Sequence, residues 1–354
     1  MKILVTGGAG FIGSHYVRTL LNDGYDGYDG YDAPEADGGT PDAYAGADVT
    51  VLDKLTYAGN RENLPAAHPR LTFVRGDICD AALLDDLLPG HDAVVHFAAE
   101  SHVDRSVASG AEFVRTNVLG TQTLLEACLR AGVQRFVHVS TDEVYGSIDE
   151  GSWTETWPLA PNSPYAASKA SSDLVARAYW RTHGLNVSIT RCSNNYGPYQ
   201  HPEKLIPLFV TNLLEGESVP LYGEGANIRE WLHVDDHCRA IHLVLNRGRA
   251  GEIYNVGGGN ERTNRQITEQ LLELTGSDWS SVRRVADRKG HDLRYSLDES
   301  KIRDELGYAP RIPFEQGIAE TVAWYRDNPG WWKAVKSASA TAPSQPARTQ
   351  EPVA

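Results

Sequence analysis

The chain opens with Lys2-Ile3-Leu4-Val5-Thr6-Gly7-Gly8-Ala9-Gly10-Phe11-Ile12-Gly13. Residues 2–6 form a short apolar run that predicts a buried strand, and the pattern that follows, through Leu21, predicts a helix. Gly7, Gly10 and Gly13 permit a tight turn between them and let backbone N–H groups approach a pyrophosphate at the helix N-terminus. Glycine-rich turns are common, but a strand before this one and a helix after it favour a dinucleotide-binding site.

Further strands are predicted at residues 48–52, 71–75, 92–97 and 135–139, and a helix at 112–131. Strands that alternate with helices imply right-handed βαβ units and a parallel sheet. The predicted fold class is therefore α/β, a Rossmann-type doubly wound parallel sheet with a smaller C-terminal α/β substrate-binding domain.

Asp53 ends the second predicted strand. An acidic residue there can hydrogen-bond the adenosine ribose hydroxyls and would repel a 2′-phosphate, which favours NAD over NADP. It lies further from the glycines than the usual spacing of about 20 residues, because residues 24–46 intervene. That stretch repeats Gly-Tyr-Asp three times, and we predict a flexible acidic surface insertion. The alternative is a partner-binding loop that uses the three tyrosines.

Length, net charge, cysteine content and apolar runs limit which kinds of protein this chain can be. The 354 residues allow one large core or two coupled domains. A net charge of −14 argues against nucleic acid or an anionic membrane as the main partner. Four scattered cysteines without CxxC spacing favour reduced thiols in a cytoplasmic protein over disulfides or a metal site. No apolar run approaches the roughly 20 residues that span a membrane, and the N-terminal run is too short for a signal peptide.

Thr141, Asp142 and Glu143 follow the strand at 135–139. Burying ionised carboxylates is costly unless they are paired or neutralised. Ligands of open α/β sheets sit at the carboxyl ends of strands, so this triplet is interpreted as a proton-handling site. Small residues after the strand at 92–97 allow close approach of a cofactor. His102, further on, is either a ligand contact or a satisfied turn histidine.

Tyr165 and Lys169 are four residues apart in a predicted helix at 165–182 and therefore share a helix face. A nearby ammonium is expected to stabilise phenolate and lower the tyrosine pKa from its usual value of about 10. Tyr165 is then a candidate base for an alcohol that loses hydride to nicotinamide. Alone, this spacing is mostly a surface pair, but beside the glycine turn and Asp53 it indicates catalysis.

Together these motifs resemble the extended short-chain dehydrogenase/reductase superfamily and, within it, the dTDP-glucose 4,6-dehydratase family. The resemblance runs from residue 1 to about 333, interrupted by the insertion. It is carried by the segments Thr6 to Ser14, Leu55 to Asn60, Ala98 to Asp104, Thr141 to Gly146, Tyr165 to Lys169, Arg191 to Gly197 and Lys204 to Ile206.

The resemblance implies residues for two ligands, NAD and the nucleotide sugar dTDP-glucose. Residues expected around NAD are Gly7, Gly10, Phe11, Ile12, Gly13, Asp53, Lys54, Leu55, Thr56, Asp77, Ile78, Ala98, Ala99, Glu100, Ser101, Thr116, Tyr165, Lys169 and Asn195. Residues expected around the nucleotide sugar are His102, Thr141, Asn194, Lys204, Leu205, Pro220, Tyr222, Arg229, Asn264, Asp287, Arg288, Lys289, Gly290 and His291. Arginines and amides can form charge-assisted bonds to a diphosphate. Without the resemblance, most of the later residues would be interpreted as solvated surface charges, and Arg229 beside Glu230 as a surface pair.

The implied reaction is an internal redox dehydration. Tyr165, tuned by Lys169 and bonded to Thr141, removes the C4 hydroxyl proton while hydride passes to NAD. Glu143 then removes the C5 proton and a protonated Asp142 donates to the departing C6 hydroxyl. Return of hydride to C6 gives dTDP-4-keto-6-deoxyglucose and regenerates NAD. The two adjacent carboxyls must therefore have opposite protonation states.

The resemblance also implies a homodimer through the helices at 112–131 and 166–182. The expected domains are 1–190 for NAD, with parts of 225–260, and mainly 191–333 for the sugar nucleotide. Residues 334–354 are expected to be a disordered tail, and Trp331-Trp332 to serve packing.

Three alternatives remain at this stage. A UDP-glucose 4-epimerase or a UDP-glucuronate decarboxylase would share the fold and NAD, but Asp142 beside Glu143 favours dehydration. A protein that binds NAD without turnover is disfavoured by the intact Thr, Tyr and Lys set.

Overall fold

The computed structural model describes residues 1–22, 43–287 and 290–341. Arg288, Lys289 and most of the predicted insertion lie outside the described residues. Among the described residues, no helix has both the length and the apolar character that crossing a bilayer demands.

A seven-stranded, fully parallel sheet forms the centre of the molecule, which confirms the predicted doubly wound fold. Its strands are β1 (Lys2–Thr6), β2 (Asp48–Asp53), β3 (Leu71–Arg75), β4 (Ala93–His96), β5 (Arg135–Thr141), β6 (Val187–Cys192) and β10 (Ile253–Val256). Their order across the sheet is β10-β6-β5-β4-β1-β2-β3. The strand order reverses between β1 and β4, and a crevice at such a reversal is where open α/β sheets bind ligands.

Helices cover both faces of this sheet. They are α1 (Phe11–Leu21), α2 (Ala81–Leu87), α3 (Val103–Ala108), α4 (Ala111–Phe113), α5 (Thr121–Ala131), α6 (Pro164–His183), α8 (Val234–Arg247) and α10 (Ser300–Leu306). One apolar core joins α1, α8 and α10 to the sheet through Tyr16, Ile241 and Ile302. The other joins α2, α5 and α6 to the opposite face through Leu84 and Leu125, among others.

The predicted helix at 112–131 is interrupted. A π-helical stretch, Val114–Gly120, separates α4 from α5. A π-turn inserts an extra residue into the helical repeat and is frequent at functional sites. Here it places Thr116 on the wall of the cleft described below.

The later part of the chain forms two smaller sheets with their own core. Strands β7 (Asn194–Tyr196), β9 (Ile228–His233) and β11 (Glu261–Thr263) form one sheet, and β8 (Val219–Tyr222) pairs with β12 (Val282–Val285). Helices α7 (Leu205–Leu214), α9 (Asn264–Thr275), α11 (Phe314–Asp327) and α12 (Pro329–Thr341) pack with them.

Two predictions about the ends of segments are wrong. The insertion was expected to extend to residue 46, but Tyr44 is buried in the main core and the N–H of Ala43 donates to Asn246 Oδ1 at 3.1 Å. The disordered tail was expected from residue 334, but α12 continues to Thr341. Val335 is buried, and Lys336 Nζ lies 2.7 Å from Glu215 Oε2. Contacts of this kind, which also include a bond from Lys336 Nζ to Asn212 Oδ1 at 3.0 Å, dock a segment whose composition is otherwise typical of disorder.

Trp331 and Trp332 serve packing, as predicted. Trp332 is buried and its indole donates to the Tyr325 carbonyl at 2.7 Å, and the Trp331 indole donates to Asn63 Oδ1 at 2.9 Å.

Candidate active site

A cleft of about 300 Å³ lies along the carboxyl ends of the central strands. Its walls include all five predicted catalytic residues and every predicted cofactor residue except Leu55. Leu55 instead holds the loop after β2: its N–H donates to Asp53 Oδ1 at 2.8 Å.

The glycine turn fits between β1 and α1 only because side chains are missing. Gly7 has φ +70°, and a Cβ there would lie 2.6 Å from the Ala98 backbone nitrogen. Gly10 precedes α1 without a side-chain cap, and the first turn of that helix carries no acidic residue. The N–H groups and positive dipole end of an 11-residue helix therefore face the cleft, an arrangement that suits a pyrophosphate.

Asp53 is fixed at the end of β2 by backbone donors. Its Oδ2 accepts from the Ala9 N–H at 2.9 Å and its Oδ1 from that of Leu55. Burial raises the pKa of Asp53, and the two backbone bonds act in the opposite direction. Beyond it, Asp77 accepts from the Cys79 N–H and pairs with Lys54 at 2.9 Å. This end of the cleft matches the chemistry of an adenosine moiety.

Sequence reasoning missed Asn117, which lies in the π-helical stretch and is buried. Its Oδ1 accepts from the Glu100 N–H at 2.8 Å, and its Nδ2 donates to the Glu100 carbonyl at 3.0 Å and to Ser168 Oγ at 2.8 Å. Asn117 therefore ties the segment after β4 to the helix that carries Tyr165. An amide inside an otherwise amphipathic helical pattern was the available signal.

The triplet after β5 has a defined local geometry. Thr141 caps a 3₁₀ turn, Asp142–Tyr145, by accepting from the Glu143 N–H at 3.3 Å. The Thr141 hydroxyl lies 3.1 Å from Asp142 Oδ1, whereas Asp142 Oδ2 is buried without a hydrogen-bond partner among the described residues. Burial, followed by the charges of Glu143 and Glu230, raises the pKa of Asp142 well above its usual range. A raised pKa favours the protonated form of the Asp142 carboxyl, which is the form that an acid needs in order to donate.

Tyr165 and Lys169 lie one turn apart on α6, both buried. Lys169 Nζ donates to the Val139 carbonyl at 2.7 Å, and burial lowers the pKa of this amine to about 8. The expectation that the protein lowers the tyrosine pKa is wrong. Burial, reinforced by Glu143, raises the pKa of Tyr165 well above its usual value, although hydrogen bonding with Thr141 opposes this.

Three predicted substrate residues, Thr141, Asn194 and Lys204, line the same cleft. Lys204 Nζ donates to the Ser101 carbonyl at 2.9 Å. Close to it, Glu203 pairs with Arg105 at 3.2 Å, and the Arg105 guanidinium lies 3.8 Å from the centre of the Tyr57 ring. Sequence reasoning had not singled out this Glu203–Arg105 pair.

The other described residues that were predicted to bind the substrate do not line this cleft. His102 caps α3, accepting from the Arg105 N–H at 3.4 Å. The rings of Tyr222 and His291 meet edge to face with their centres 6.0 Å apart, and Asp287 Oδ1 lies 2.6 Å from His291 Nδ1. Leu205 begins α7, Pro220 lies in β8, Asn264 begins α9, and Gly290 adopts φ +65° beside the Asn162 carbonyl.

Arg229 is buried and its donors are used inside the protein. They reach the carbonyls of Ile228, Asp292 and Leu293 at 2.7 to 3.4 Å. The neighbouring Glu230 is buried as well and accepts from the N–H groups of Gly258, Gly259 and Leu297. The alternative interpretation of these two residues as a surface pair is therefore wrong.

Comparison with known proteins agrees with this geometry. Residues 43–321 match the family model described as GDP-mannose 4,6 dehydratase, and residues 3–37 match the NAD dependent epimerase/dehydratase family. A dTDP-glucose 4,6-dehydratase of Streptomyces niveus is 61% identical over 339 residues, 95% of this chain and 96% of that protein.

Solved structures resemble the chain over nearly its whole length. The dTDP-glucose 4,6-dehydratase from Streptomyces venezuelae with NAD and TYD bound is 66% identical with a TM-score of 0.89, covering 95% of this chain and all of that one. The UDP-glucose 4-epimerase of Thermus thermophilus in complex with NAD is 34% identical with a TM-score of 0.81, covering 93% of this chain and all of that one.

The fold and the cleft thus define an enzyme of the NAD-dependent epimerase/dehydratase class, on the extended short-chain dehydrogenase/reductase fold. Within that class, the chain belongs to the dTDP-glucose 4,6-dehydratase family, whose members are hydro-lyases.

Proposed function

We propose that this protein converts dTDP-glucose to dTDP-4-keto-6-deoxyglucose and water, with NAD held in the cleft as cofactor. One observation carries the choice of dehydration: the Asp142 carboxyl is buried directly beside Glu143, its Oδ2 has no partner among the described residues, and burial raises its pKa. A 4-epimerase needs neither an acid nor a base for water elimination, whereas a dehydratase needs both.

The cleft fits NAD. The backbone packs too closely around Gly7 and Gly13 to admit a side chain in the turn where a pyrophosphate would lie, and the Asp53 carboxylate is held where it can meet ribose hydroxyls. Asp77, Ile78, the segment 98–101, Thr116 and Asn195 complete the walls. When bound, NAD accepts a hydride from the sugar and returns it within the same turnover.

Tyr165 is the proposed base for the C4 hydroxyl. Its hydroxyl interacts with Thr141, and the Lys169 ammonium is held one helix turn away. Because burial raises the pKa of Tyr165, the phenolate that accepts the C4 hydroxyl proton needs a positive charge nearby, which the Lys169 ammonium would supply.

Water elimination is assigned to the two carboxyls. Glu143 accepts the C5 proton, and Asp142 gives its proton to the departing C6 hydroxyl. The unpartnered Asp142 Oδ2 is the atom that has no competing hydrogen bond within the described part of the protein. Both side chains line the cleft beside Tyr165, so the redox and elimination steps share one sugar position.

The nucleotide sugar is assigned to the cleft end lined by Asn194 and Lys204 and to the later part of the chain. Lys204 offers an ammonium for a diphosphate. The domain division that follows is 1–190 with parts of 225–260 for NAD, and mainly 191–333 for the sugar nucleotide. The pairing of β10 with β6 and the packing of α8 on the sheet support it.

A homodimer and a cytoplasmic location complete the proposal. Val114, Leu119 and Leu174 are more than half exposed on or beside the helices expected at the interface. A second copy of the chain would cover these apolar side chains. The described cysteines are all free thiols, which suits a reducing compartment.

The test is incubation of the purified protein with dTDP-glucose and, separately, UDP-glucose, while the 4-keto product and net NADH are followed. A dehydratase forms product with no net NADH. Stoichiometric NADH would instead indicate a simple dehydrogenase, and interconversion of the 4-epimers without water loss would indicate an epimerase.

A further inference from the structure

Helix α6 carries a third charged residue on the face that holds Tyr165 and Lys169. Asp173 lies one turn beyond Lys169 and is fully buried, with 0% of its side chain exposed. It does not line the cleft, so the reaction described above gives it no role. A buried carboxylate is retained only where something compensates for its lost hydration.

Side chains on two neighbouring strands of the sheet compensate for the lost hydration of the Asp173 carboxylate. Its Oδ2 accepts from Arg191 Nε on β6 at 2.9 Å, and its Oδ1 lies 3.3 Å from His138 Nε2 on β5. Arg191 is itself fixed, since it donates to the Tyr145 hydroxyl at 2.8 Å, which in turn donates to Asn255 Oδ1 at 2.8 Å. These contacts hold the Asp173 carboxylate one helix turn beyond Lys169.

The buried ammonium of Lys169 needs a negative charge nearby. Its ammonium is buried, and it donates to a neutral carbonyl, that of Val139. Burial pulls the pKa of Lys169 down to about 8, and Asp173 is the first group that acts against this. Burial would raise the pKa of Asp173, but Arg191 and then His138 outweigh it and bring the pKa to about 2, so the carboxylate is ionised.

We propose that Asp173 is a positioning residue for the reaction, supplying the fixed counter-charge that keeps Lys169 an ammonium beside Tyr165. This inference rests on the proposed function for its purpose, although the charge relation itself does not. Arg191 and His138 hold the carboxylate in place, and burial, then Lys169, lowers the pKa of His138. The ionisable groups around Lys169 are Tyr165 and Asp173 on α6, His138 on β5, Arg191 and Cys192 on β6, and His96 on β4.

The test is a direct titration of Lys169 by NMR in protein labelled with ¹³Cε-lysine, with the resonance assigned from its loss in Lys169→Met. In Asp173→Asn the midpoint should fall by roughly one pH unit or more, because an opposite charge is lost and Arg191 is left unpaired. The alkaline limb of kcat should fall by the same amount. In Ser171→Ala, a change on the same helix away from this network, the midpoint should not move.

The double variant Asp173→Asn/Arg191→Gln removes both charges and carries the test if the single variant does not fold. Its Lys169 midpoint should also fall, by less than in Asp173→Asn. A Lys169 midpoint equal to that of the unchanged protein in either folded variant would overturn the proposal. If the Lys169 midpoint shifts as expected but the protein does not dehydrate dTDP-glucose, the charge relation between Asp173 and Lys169 stands and the proposed function is refuted.

Discussion

The Thr141 hydroxyl lies 3.1 Å from one carboxyl oxygen of Asp142, and the other oxygen of that carboxyl is buried with no partner in the described parts of the chain. The same threonine interacts with Tyr165. One side chain therefore stands between the group assigned to the C4 alcohol and the group assigned to the departing hydroxyl, and the redox and elimination halves of the site can be separated by mutation.

Asp142→Asn and Glu143→Gln should each reduce product formation by about 10²–10⁴-fold, since an amide can neither give nor take the required proton. Oxidation at C4 needs neither group, so NADH should accumulate on the enzyme when dTDP-glucose is added. Absorbance of bound NADH and product in a single turnover measures both. Asp149→Asn changes an exposed acid nearby and should leave turnover unchanged. Near-native product formation in both site variants would remove these roles.

The activity should fall as pH rises through about 8, the pKa to which burial lowers Lys169. This folded-state pKa lies below the ordinary 10.5, so the unfolded chain binds more protons between the two values. The Lys169 contribution to stability therefore rises with pH in that window while activity falls. A kcat/KM profile with parallel Tm measurements separates the two effects. Lys169→Arg, which stays charged, should lose this limb; its retention would assign the limb to another group.

Gly7→Ala should abolish NAD retention and destabilise the protein. The residue has φ +70°, which costs an L-residue about 1–2 kcal/mol, and the new Cβ would meet the Ala98 nitrogen at 2.6 Å. Gly90→Ala is the matched control, with φ +82° and no described atom within 4 Å of the added Cβ. It should show only the conformational cost. NAD content and Tm measure the difference, and equal losses in both variants would contradict the close approach.

Asn117→Ala should lower both stability and turnover. The change removes the partners of the half-buried Glu100 N–H and carbonyl, at about 1–3 kcal/mol for each unsatisfied group, and one of the two bonds of Ser168 Oγ, which keeps its bond to the Tyr165 carbonyl. It also frees the segment after β4 from helix α6. Denaturant unfolding and kcat report the two effects. Gln122→Ala, which removes an amide bonded to Glu126 and to the Tyr179 hydroxyl far along α6, should change both much less, and an unaltered kcat in Asn117→Ala would show that the tie has no catalytic role.

Leu174→Glu should convert the proposed dimer to monomer, because it buries a charge at a face that is otherwise apolar. Sedimentation velocity measures the change. Leu293→Glu, an exposed leucine far along the chain from these helices, is the control. A native protein that already sediments as a monomer would refute the interface.

Strands β1 to β5 of the central sheet were predictable because each is a short apolar run, whereas β6 and β10 of the same sheet were not predicted. Of the residues that line the cleft, the glycine turn, Asp53 and the pair Tyr165 and Lys169 were predictable from local motifs, and most of the others only from the resemblance. The raised pKa of Tyr165 was not predictable, because burial and then Glu143 act on it across the fold. Arg229 was misread as exposed when interpreted without the resemblance, since the carbonyls that hold it, at 292 and 293, come from a distant segment.

The boundaries of polar segments were the other failure. The 334–354 tail and the 24–46 insertion share a small-residue, polar composition, yet Val335 and Tyr44 are buried at their folded ends. A single buried side chain can determine where such a segment ends, whereas composition describes only the average over the whole segment.

Strand β10 closes the sheet beside β6, and α8 covers α1, with His15 3.0 Å from Asp235 and Tyr16 OH 3.2 Å from His242. The ribosome must therefore have synthesised the chain as far as residue 256 before the cofactor half, the part built on the seven-stranded sheet, can complete that sheet. Until then the edge of β6 and one face of α1 stay open to wrong partners. Release of nascent chains that stop near residue 190 should yield aggregates, and arrest beyond 256 should yield the first protease-resistant cofactor half.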